Sequence, residues 1–73
     1  MIDIKTISIG DKVHYKPDYF KDDEYEIGKV KEVVESLGGV RVVYHCAGNW
    51  DNFMDYTSAL TPVEDLYYGW PHK

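Results

Sequence analysis

The feature that most constrains the fold is a stretch of alternating side chains directly after two glycines. One set of alternate positions holds Val40, Val42, Tyr44 and Cys46, and the other holds Arg41, Val43 and His45. This period of two is typical of a strand that buries one face, and the β-branched residues favour the same structure. Gly38 and Gly39 accept positive φ angles without steric cost, as a tight hairpin turn requires. The pattern therefore predicts a hairpin whose second strand runs from Val40 to Cys46.

The remaining elements follow from short alternating runs and from turn residues. Strands are predicted at Lys12–Lys16, Ile27–Glu35, Phe53–Leu60 and Tyr67–Tyr68, with an irregular edge segment over Ile2–Ile9. Pro17 ends the first strand because it has no N–H to donate. The adjacent Val33 and Val34 interrupt the alternation and predict a β-bulge in the second strand. Gly28 in that strand predicts the close approach of a neighbouring backbone or ring.

A single helical turn is predicted just before the last strand. In Thr61–Leu66, Thr61 is suited to cap the turn and Pro62 to occupy its first position. Val63 and Leu66 are expected to close one end of a barrel. The elements together predict one all-β domain over residues 1–73, a small five-stranded, partly open barrel of the SH3-like (Tudor-like) type. An OB-fold, the nearest competitor, needs more chain and a longer helix.

Aromatic residues are too numerous for so small a core. The 73 residues include seven Tyr, two Trp and two Phe, whereas a domain of about this size buries only about 60% of the surface of its unfolded chain. Several rings are therefore expected at the surface. Such a surplus is typical of a ligand-binding face or a subunit contact, so we also expect self-association into a homo-oligomer.

The charge and the cysteine content narrow the range of partners. Thirteen acidic and eight basic residues give a net charge of −5, which disfavours binding to nucleic-acid backbones. The excess of acidic residues either keeps the protein soluble or binds a basic partner. A single cysteine suits a reducing compartment, and the chain has neither a signal-peptide pattern nor an apolar run long enough for a membrane span. These features predict a cytoplasmic protein.

The predicted binding site lies on the hairpin's second strand and on the loop that follows it. Its residues are rings, amides and one hydroxyl: Tyr44, His45, Asn49, Trp50, Asn52, Phe53, Tyr56 and Thr57. Flat rings beside hydrogen-bonding groups suit either stacking on a base or caging of a side chain. The competing interpretation is that Trp50 and Tyr44 complete the core and that the two asparagines are ordinary turn residues.

A second candidate region is the acidic loop between the first two strands. Its acidic residues Asp22, Asp23, Glu24 and Glu26 form either a solvated rim or, together with Tyr25, a site for an Arg or Lys side chain of a partner. The rings of Tyr19, Phe20 and Tyr25 would then offer cation–π contacts.

Catalytic and metal chemistry are not predicted. No nucleophile elbow, phosphate-binding glycine loop or catalytic triad spacing is present. Zinc needs several Cys or His at ligand spacing, which His14, His45, Cys46 and the distant His72 do not provide. The expectation is a protein without an enzymatic activity, a cofactor or a metal.

Several short motifs carry a resemblance to known proteins. The chain resembles a set of short uncharacterised bacteriophage and prophage proteins at Val43–Cys46, Gly48–Asn52, Tyr56–Thr57, Thr61, Asp65–Leu66 and Gly69–Trp70. The order GDKVHY, GKVKEV, VVY and VEDL is also similar to Tudor and KOW-like barrels. The resemblance implies a phage or prophage origin, and thus the cytoplasm of a bacterial host.

Two functions follow as expectations. In the first, an anti-defence protein sequesters a small polar or nucleotide-like ligand through its aromatic loop. In the alternative, an adaptor or inhibitor docks on a host or phage protein through its acidic and aromatic loops.

Overall fold

The computed structural model describes residues 2–71, which form an open antiparallel sheet. Within this range the strands are β1 (Lys12–Tyr15), β2 (Glu26–Val34), β3 (Gly39–Val43), β4 (Ala59–Pro62) and β5 (Leu66–Tyr68). Short 3-10 segments lie at Glu35–Leu37, Trp50–Asp55 and Val63–Asp65. The strand order is β4-β3-β2-β1-β5, so β4 and β5 form the two edges. The all-β, five-stranded prediction is confirmed, and the sheet does not close over the described residues.

The β2–β3 hairpin is present where the glycine pair predicts it, but only one glycine uses a positive φ. Gly38 has φ 62° and its N–H donates to the Glu35 carbonyl at 3.0 Å. Gly39 is already the first residue of β3. A Cβ at Gly39 would lie 2.9 Å from the Thr61 carbonyl oxygen, so this glycine allows close packing of β4.

The bulge in β2 lies earlier than Val33–Val34, so its predicted position is wrong. The register with β3 shifts between Val30 and Glu32, which makes Lys31 the extra residue. The Lys31 ammonium donates to the Tyr56 carbonyl at 2.7 Å, which ties the bulge to the segment before β4. After the shift Val33 pairs with Val40 and packs against the core.

The prediction that Val43 faces outward with Arg41 and His45 is wrong for Val43, which is fully buried. Val43 pairs with Lys29, so the two side chains share one face of the sheet. The Lys29 ammonium lies 3.4 Å from the Trp50 carbonyl and 5.2 Å from the centre of the Phe53 ring. The Trp50–Asp55 segment therefore covers this face at Val43, and β3 is buried on both sides there, whereas Arg41 is exposed. β3 also ends at Val43, before the predicted end at Cys46.

The fourth strand is not at Phe53–Leu60. Residues Trp50–Asp55 form the 3-10 segment, and β4 begins only at Ala59. Successive backbone bonds run from Asn49 N–H to the Cys46 carbonyl, from Asn52 to Asn49 and from Tyr56 to Phe53. Asn and Asp residues favour such local turns over an extended ladder, which accounts for the error.

The core of the described chain is aliphatic. Its buried cluster consists of Ile2, Ile7, Val13, Val30, Val40, Val42 and Leu66. Ile2 and Ile7 come from the N-terminal segment, which is not an edge strand and is held by a bond from the Gly10 N–H to the Val30 carbonyl at 2.8 Å. All eleven aromatic residues belong to the described part of the chain, and none of them is fully buried.

The 3-10 segment before β5 agrees with the sequence prediction in place but not in its cap. It spans Val63–Asp65, Val63 packs against the core and Leu66 is fully buried. Thr61, the predicted cap, belongs to β4 instead, and its hydroxyl lies 2.8 Å from the Tyr44 hydroxyl. Within the described residues, no helix has the length and hydropathy needed to cross a membrane.

Candidate binding surface

Tyr44 is the residue around which the candidate surface is arranged. It follows β3 directly, and its hydroxyl hydrogen-bonds the Thr61 hydroxyl on β4. Its half-buried ring packs edge to face against Tyr15, with ring centres 6.2 Å apart. The pKa of Tyr44 is raised to about 12, mainly by burial; the Thr61 hydrogen bond lowers it, and the charges of Glu26 and Asp65 add to the rise. The phenol therefore stays protonated at neutral pH and presents an uncharged hydroxyl.

A first groove, here called the Pro62 groove, runs between Tyr44 and the edge strand. It has a volume of about 270 Å³, and it is lined by Tyr15, Glu26, Tyr44, Ala59, Leu60, Thr61 and Pro62. Its walls are mainly aromatic and aliphatic. The Glu26 side chain is exposed at its rim and supplies the one carboxylate among these lining residues.

A second groove, here called the Trp50 groove, also borders Tyr44 and shares Glu26 with the first. It has a volume of about 410 Å³ and is lined by Tyr25, Glu26, Ile27, Tyr44, His45, Cys46, Ala47, Gly48 and Trp50. The chain turns sharply at its floor, where Ala47 has φ 52° and Gly48 has φ 83°. Trp50 is half-buried, its ring centre lies 4.8 Å from that of Trp70, and its side chain also lines this groove. Trp50 is therefore neither a fully buried core residue nor a fully exposed ring.

A third groove of about 200 Å³ completes the surface and is lined by Val42, Tyr44, His45, Thr57, Ser58 and Ala59. Tyr44 lines all three grooves, and Glu26 lines two of them. We use the name Tyr44 surface for the three grooves together. Any molecule that fills more than one of them must contact Tyr44.

The electrostatics of the Tyr44 surface favour positive charge. Among the described residues that line it, none is Lys or Arg. Glu26 and Asp65 both raise the pKa of Tyr44, which reports negative charge close to this phenol. The pKa of Tyr15 is also raised to about 12, first by its hydrogen bond with Tyr19, then by burial and then by the charges of Tyr19, Asp65 and Tyr44.

The loop between β1 and β2 adds an aromatic array beside Tyr15. The Phe20 ring lies edge to face with both Tyr15 at 5.5 Å and Tyr19 at 5.2 Å. The Tyr15 and Tyr19 hydroxyls are 3.3 Å apart. The Lys16 ammonium donates to the carbonyls of Lys21 and Glu24, so the loop is fastened to the end of β1.

The structure brings together part of the predicted site. Tyr44, His45 and Trp50 meet in the Trp50 groove with Tyr25 from the acidic loop, and Thr57 joins Tyr44 and His45 in the third groove. The other predicted residues, all within the described range, lie outside the lining of the three grooves: Asn49, Asn52, Phe53 and Tyr56. The Asn49 amide donates to the Tyr56 hydroxyl at 3.0 Å, and the Phe53 ring lies under the Lys29 ammonium.

The acidic loop contributes a ring rather than a cluster of carboxylates. Asp22, Asp23 and Glu24 are exposed, and the Glu24 carboxylate accepts the backbone N–H of Lys21 at 2.8 Å. Among the predicted residues of this loop, Tyr25 and Glu26 line the grooves, whereas Asp22, Asp23 and Glu24 do not. The carboxylate that does reach the grooves is Glu26, the first residue of β2.

Sequence reasoning missed the β4 residues and predicted Glu26 only as part of the acidic loop, because both enter the site through long-range pairing. Glu26 pairs with Tyr15, and Thr61 pairs with Val40, so each position is set by a strand register. The inward alternation of Val13 and Tyr15 was the one signal that pointed Tyr15 toward the site.

No cluster of three or more His, Cys, Asp or Glu side chains suited to a metal ion is found among residues 2–71. His72, which entered the zinc argument, lies outside the described residues. Comparisons of the chain with protein-family models, with curated proteins and with solved structures found no match.

Proposed function

We propose that this chain is a binding module without enzymatic activity that docks on a protein partner by holding a cationic side chain of that partner on the Tyr44 surface. The single observation that supports this most strongly is the position of Glu26, a carboxylate that lines two of the grooves bordered by Tyr44. Arg and Lys side chains favour both an aromatic face and a carboxylate.

The shape of the Tyr44 surface supports an extended segment as the partner. A guanidinium or ammonium at Glu26 would leave the neighbouring residues of the partner over the Pro62 groove on one side and the Trp50 groove on the other. The Pro62 groove offers Leu60 and Pro62 to an apolar side chain, and the Trp50 groove offers Tyr25 and Trp50. Aromatic anchors surrounded by polar groups are typical of protein interfaces.

The fold proposal that accompanies this function is an SH3-like, Tudor-like barrel. It is supported by the strand order β4-β3-β2-β1-β5, by the long loop between β1 and β2 and by the 3-10 turn before β5. Folds of this kind host many functions, so the binding proposal depends on the grooves and not on the fold.

A nucleotide-like ligand remains the second candidate, and the observation that favours it is the pair of flat rings, Trp50 and His45, in the Trp50 groove. A base could stack on the indole. Phosphates would lie in the negative field of Glu26 and Asp65, which makes this candidate the weaker one. A phage origin and a role against host defence are further proposals that depend on the sequence resemblance.

The proposal is tested by an NMR titration with a short peptide that carries a central arginine between leucine and proline. We expect shift changes at Tyr44, Glu26 and Thr61. A matched peptide with citrulline in place of arginine has nearly the same shape without the charge, so it should bind more weakly. Glu26→Gln should weaken binding of the arginine peptide about two- to fivefold, as expected for an exposed ion pair.

Glu35→Gln is the control, because it removes the same charge from the β2–β3 turn. Equal binding of the two peptides, or equal losses in Glu26→Gln and Glu35→Gln, would contradict the proposal. Shift changes with adenosine monophosphate and not with the arginine peptide would favour the nucleotide-like ligand instead.

A further inference from the structure

The chain after β5 turns back across the sheet and forms a short strap, Gly69–Pro71. Gly69 has φ 87°, and its N–H donates to the Lys12 carbonyl at 2.8 Å. Its carbonyl oxygen lies 2.9 Å from Nδ1 of His14. These two bonds hold the start of the strap against β1.

The middle residue of the strap, Trp70, reaches the second strand and then Trp50. Its indole N–H donates to the Gly28 carbonyl of β2 at 2.9 Å. The Lys12 ammonium lies 4.8 Å from the centre of the Trp70 ring, a cation–π distance. The Trp70 and Trp50 rings are 4.8 Å apart and tilted by 54°. Trp70 therefore connects the sheet to one wall of the Trp50 groove.

The last residue of the strap connects to a different wall of the same groove. The Pro71 carbonyl accepts a hydrogen bond from the Tyr25 hydroxyl at 3.3 Å. The Tyr25 ring also lies edge to face with His14 at 6.0 Å, and His14 in turn bonds the strap. Trp50 and Tyr25 come from two different loops, yet adjacent strap residues contact both of them.

From this geometry we infer that the strap positions the Trp50 groove: Trp70 and Pro71 set the places of Trp50 and Tyr25. Side chains that belong to loops need supporting contacts to hold a binding geometry. This inference rests on the proposed function only for its binding consequence, since the positioning itself is a property of the free protein. Binding linkage is reciprocal, so a ligand in the groove also holds the strap more firmly in place.

The free protein is tested first, by NMR of Trp70→Ala, Trp70→Phe and Tyr25→Phe. In Trp70→Ala we expect the Trp50 and Tyr25 ring signals to move, while the signals of Leu60 and Pro62 stay unchanged. Trp70→Phe keeps a ring against Trp50 but loses the bond to Gly28, so an intermediate change is expected. Tyr25→Phe removes only the hydroxyl that bonds Pro71. This variant therefore tests the contact between Tyr25 and the strap even if Trp70→Ala fails to fold.

Tyr68→Ala is the matched control. Tyr68 is a neighbouring aromatic residue on β5 whose hydroxyl bonds Thr6 at 3.1 Å. The Tyr68→Ala variant should leave the NMR signals of Trp50 and Tyr25 unchanged. Unchanged Trp50 and Tyr25 signals in Trp70→Ala, together with an unchanged contact between the ring at position 25 and His14 in Tyr25→Phe, would overturn the inference. Equal changes of the Trp50 and Tyr25 signals in Tyr68→Ala would overturn it as well.

Binding of the arginine peptide gives the second readout. We expect Trp70→Ala to weaken it about three- to tenfold, Trp70→Phe to recover part of the loss, and the peptide to slow hydrogen exchange of the Trp70 indole N–H in the natural chain. Full affinity in Trp70→Ala would contradict the coupling. If the peptide fails to bind the natural chain while Trp50 and Tyr25 still move in the variants, the proposed function fails and the positioning role of the strap stands.

Discussion

At the scale of single residues, Gly28 shows how closely the strands and the site are packed together. A Cβ at this position would lie 2.5 Å from Cγ1 of Val42 and 2.8 Å from the Val43 carbonyl oxygen. It would also lie 3.1 Å from Cδ1 of Tyr44. The close approach predicted for Gly28 is confirmed, and backbone atoms cannot move aside without disturbing the ladder.

We therefore predict that Gly28→Ala lowers the free energy of unfolding by about 1–3 kcal/mol, as over-packing does. Urea denaturation of Gly28→Ala and of Ser36→Ala measures this. Ser36 is exposed in the β2–β3 turn, and its substitution should change stability by less than about 0.5 kcal/mol. Equal urea midpoints for the two variants would contradict this prediction, because they would show that a Cβ at Gly28 fits without over-packing.

Two phenols give the protein a pH dependence in the alkaline range. The pKa values of Tyr15 and Tyr44 are raised from 10.0 to about 12. Above pH 10 the unfolded chain releases these protons while the folded chain keeps them, so the unfolded state is favoured as pH rises. Their stabilising contribution is complete below pH 10 and is lost as the pH approaches about 12.

We predict that the free energy of unfolding falls between about pH 10 and pH 12, and that Tyr44→Phe makes this fall less steep. Denaturation curves across that range provide the measurement. Tyr68→Phe is the control because Tyr68 is half exposed at the sheet edge. An unchanged slope in Tyr44→Phe would mean that this phenol titrates alike in both states.

At the scale of elements, the N-terminal segment contributes more to the core than its irregular sequence pattern suggests. Ile7 is 6% exposed and belongs to the core, whereas Ile9, two residues later, is 59% exposed. We predict that Ile7→Ala lowers the free energy of unfolding by about 2–5 kcal/mol. Ile9→Ala should change it by no more than about 0.5 kcal/mol. Thermal or urea denaturation of the two variants measures this difference. A larger loss of stability in Ile9→Ala than in Ile7→Ala would refute the placement of Ile7 in the core.

The sequence predicts those elements whose signals are local. Alternation identifies β1, β2 and β3, and Gly38 identifies the hairpin turn, because side-chain period and φ are properties of a few neighbouring residues. β4 was misplaced since the Asn and Asp residues of the Trp50–Asp55 segment form local turns. The register shift at Lys31 depends on pairing with a distant strand, which the alternation of β2 does not encode.

In the candidate site too, the residues that are close in sequence could be predicted, and those brought together by long-range pairing could not. Tyr44, His45 and Trp50 are close in sequence and were predicted together, and the structure places them in one groove. Pro62 reaches the Tyr44 surface through the sheet topology, so single-sequence reasoning did not find it. Glu26 was predicted only as part of the acidic loop, and its place beside Tyr44 depends on the same topology. The strap contacts between Trp70 and Trp50 have the same long-range character.

At the scale of the whole molecule, an aliphatic core leaves the aromatic side chains at or near the surface. The fully buried side chains among residues 2–71 are Ile, Val, Leu and Cys. Tyr19, Tyr67 and Tyr68 are exposed, as are Leu37, Met54 and Leu60. These exposed rings and aliphatic side chains are available for contact with another molecule.

Self-association stays a prediction at this scale. We expect sedimentation at micromolar protein concentration to show a dimer or larger species that depends on concentration. Tyr19→Ser, which replaces a ring that is 78% exposed, should shift the distribution toward monomer. A monomer alone, across the whole concentration range, would contradict the expectation.

The central claim is that the rings around Tyr44 and the carboxylate of Glu26 together hold a cation of a partner. Isotope-filtered nuclear Overhauser spectroscopy of the protein with the arginine peptide measures this directly. We predict contacts from the arginine side chain to the Tyr44 ring and the Glu26 side chain, with peptide neighbours against Pro62 and Trp50. Contacts confined to another face, such as the surface near Met54 and Arg41, would contradict the claim.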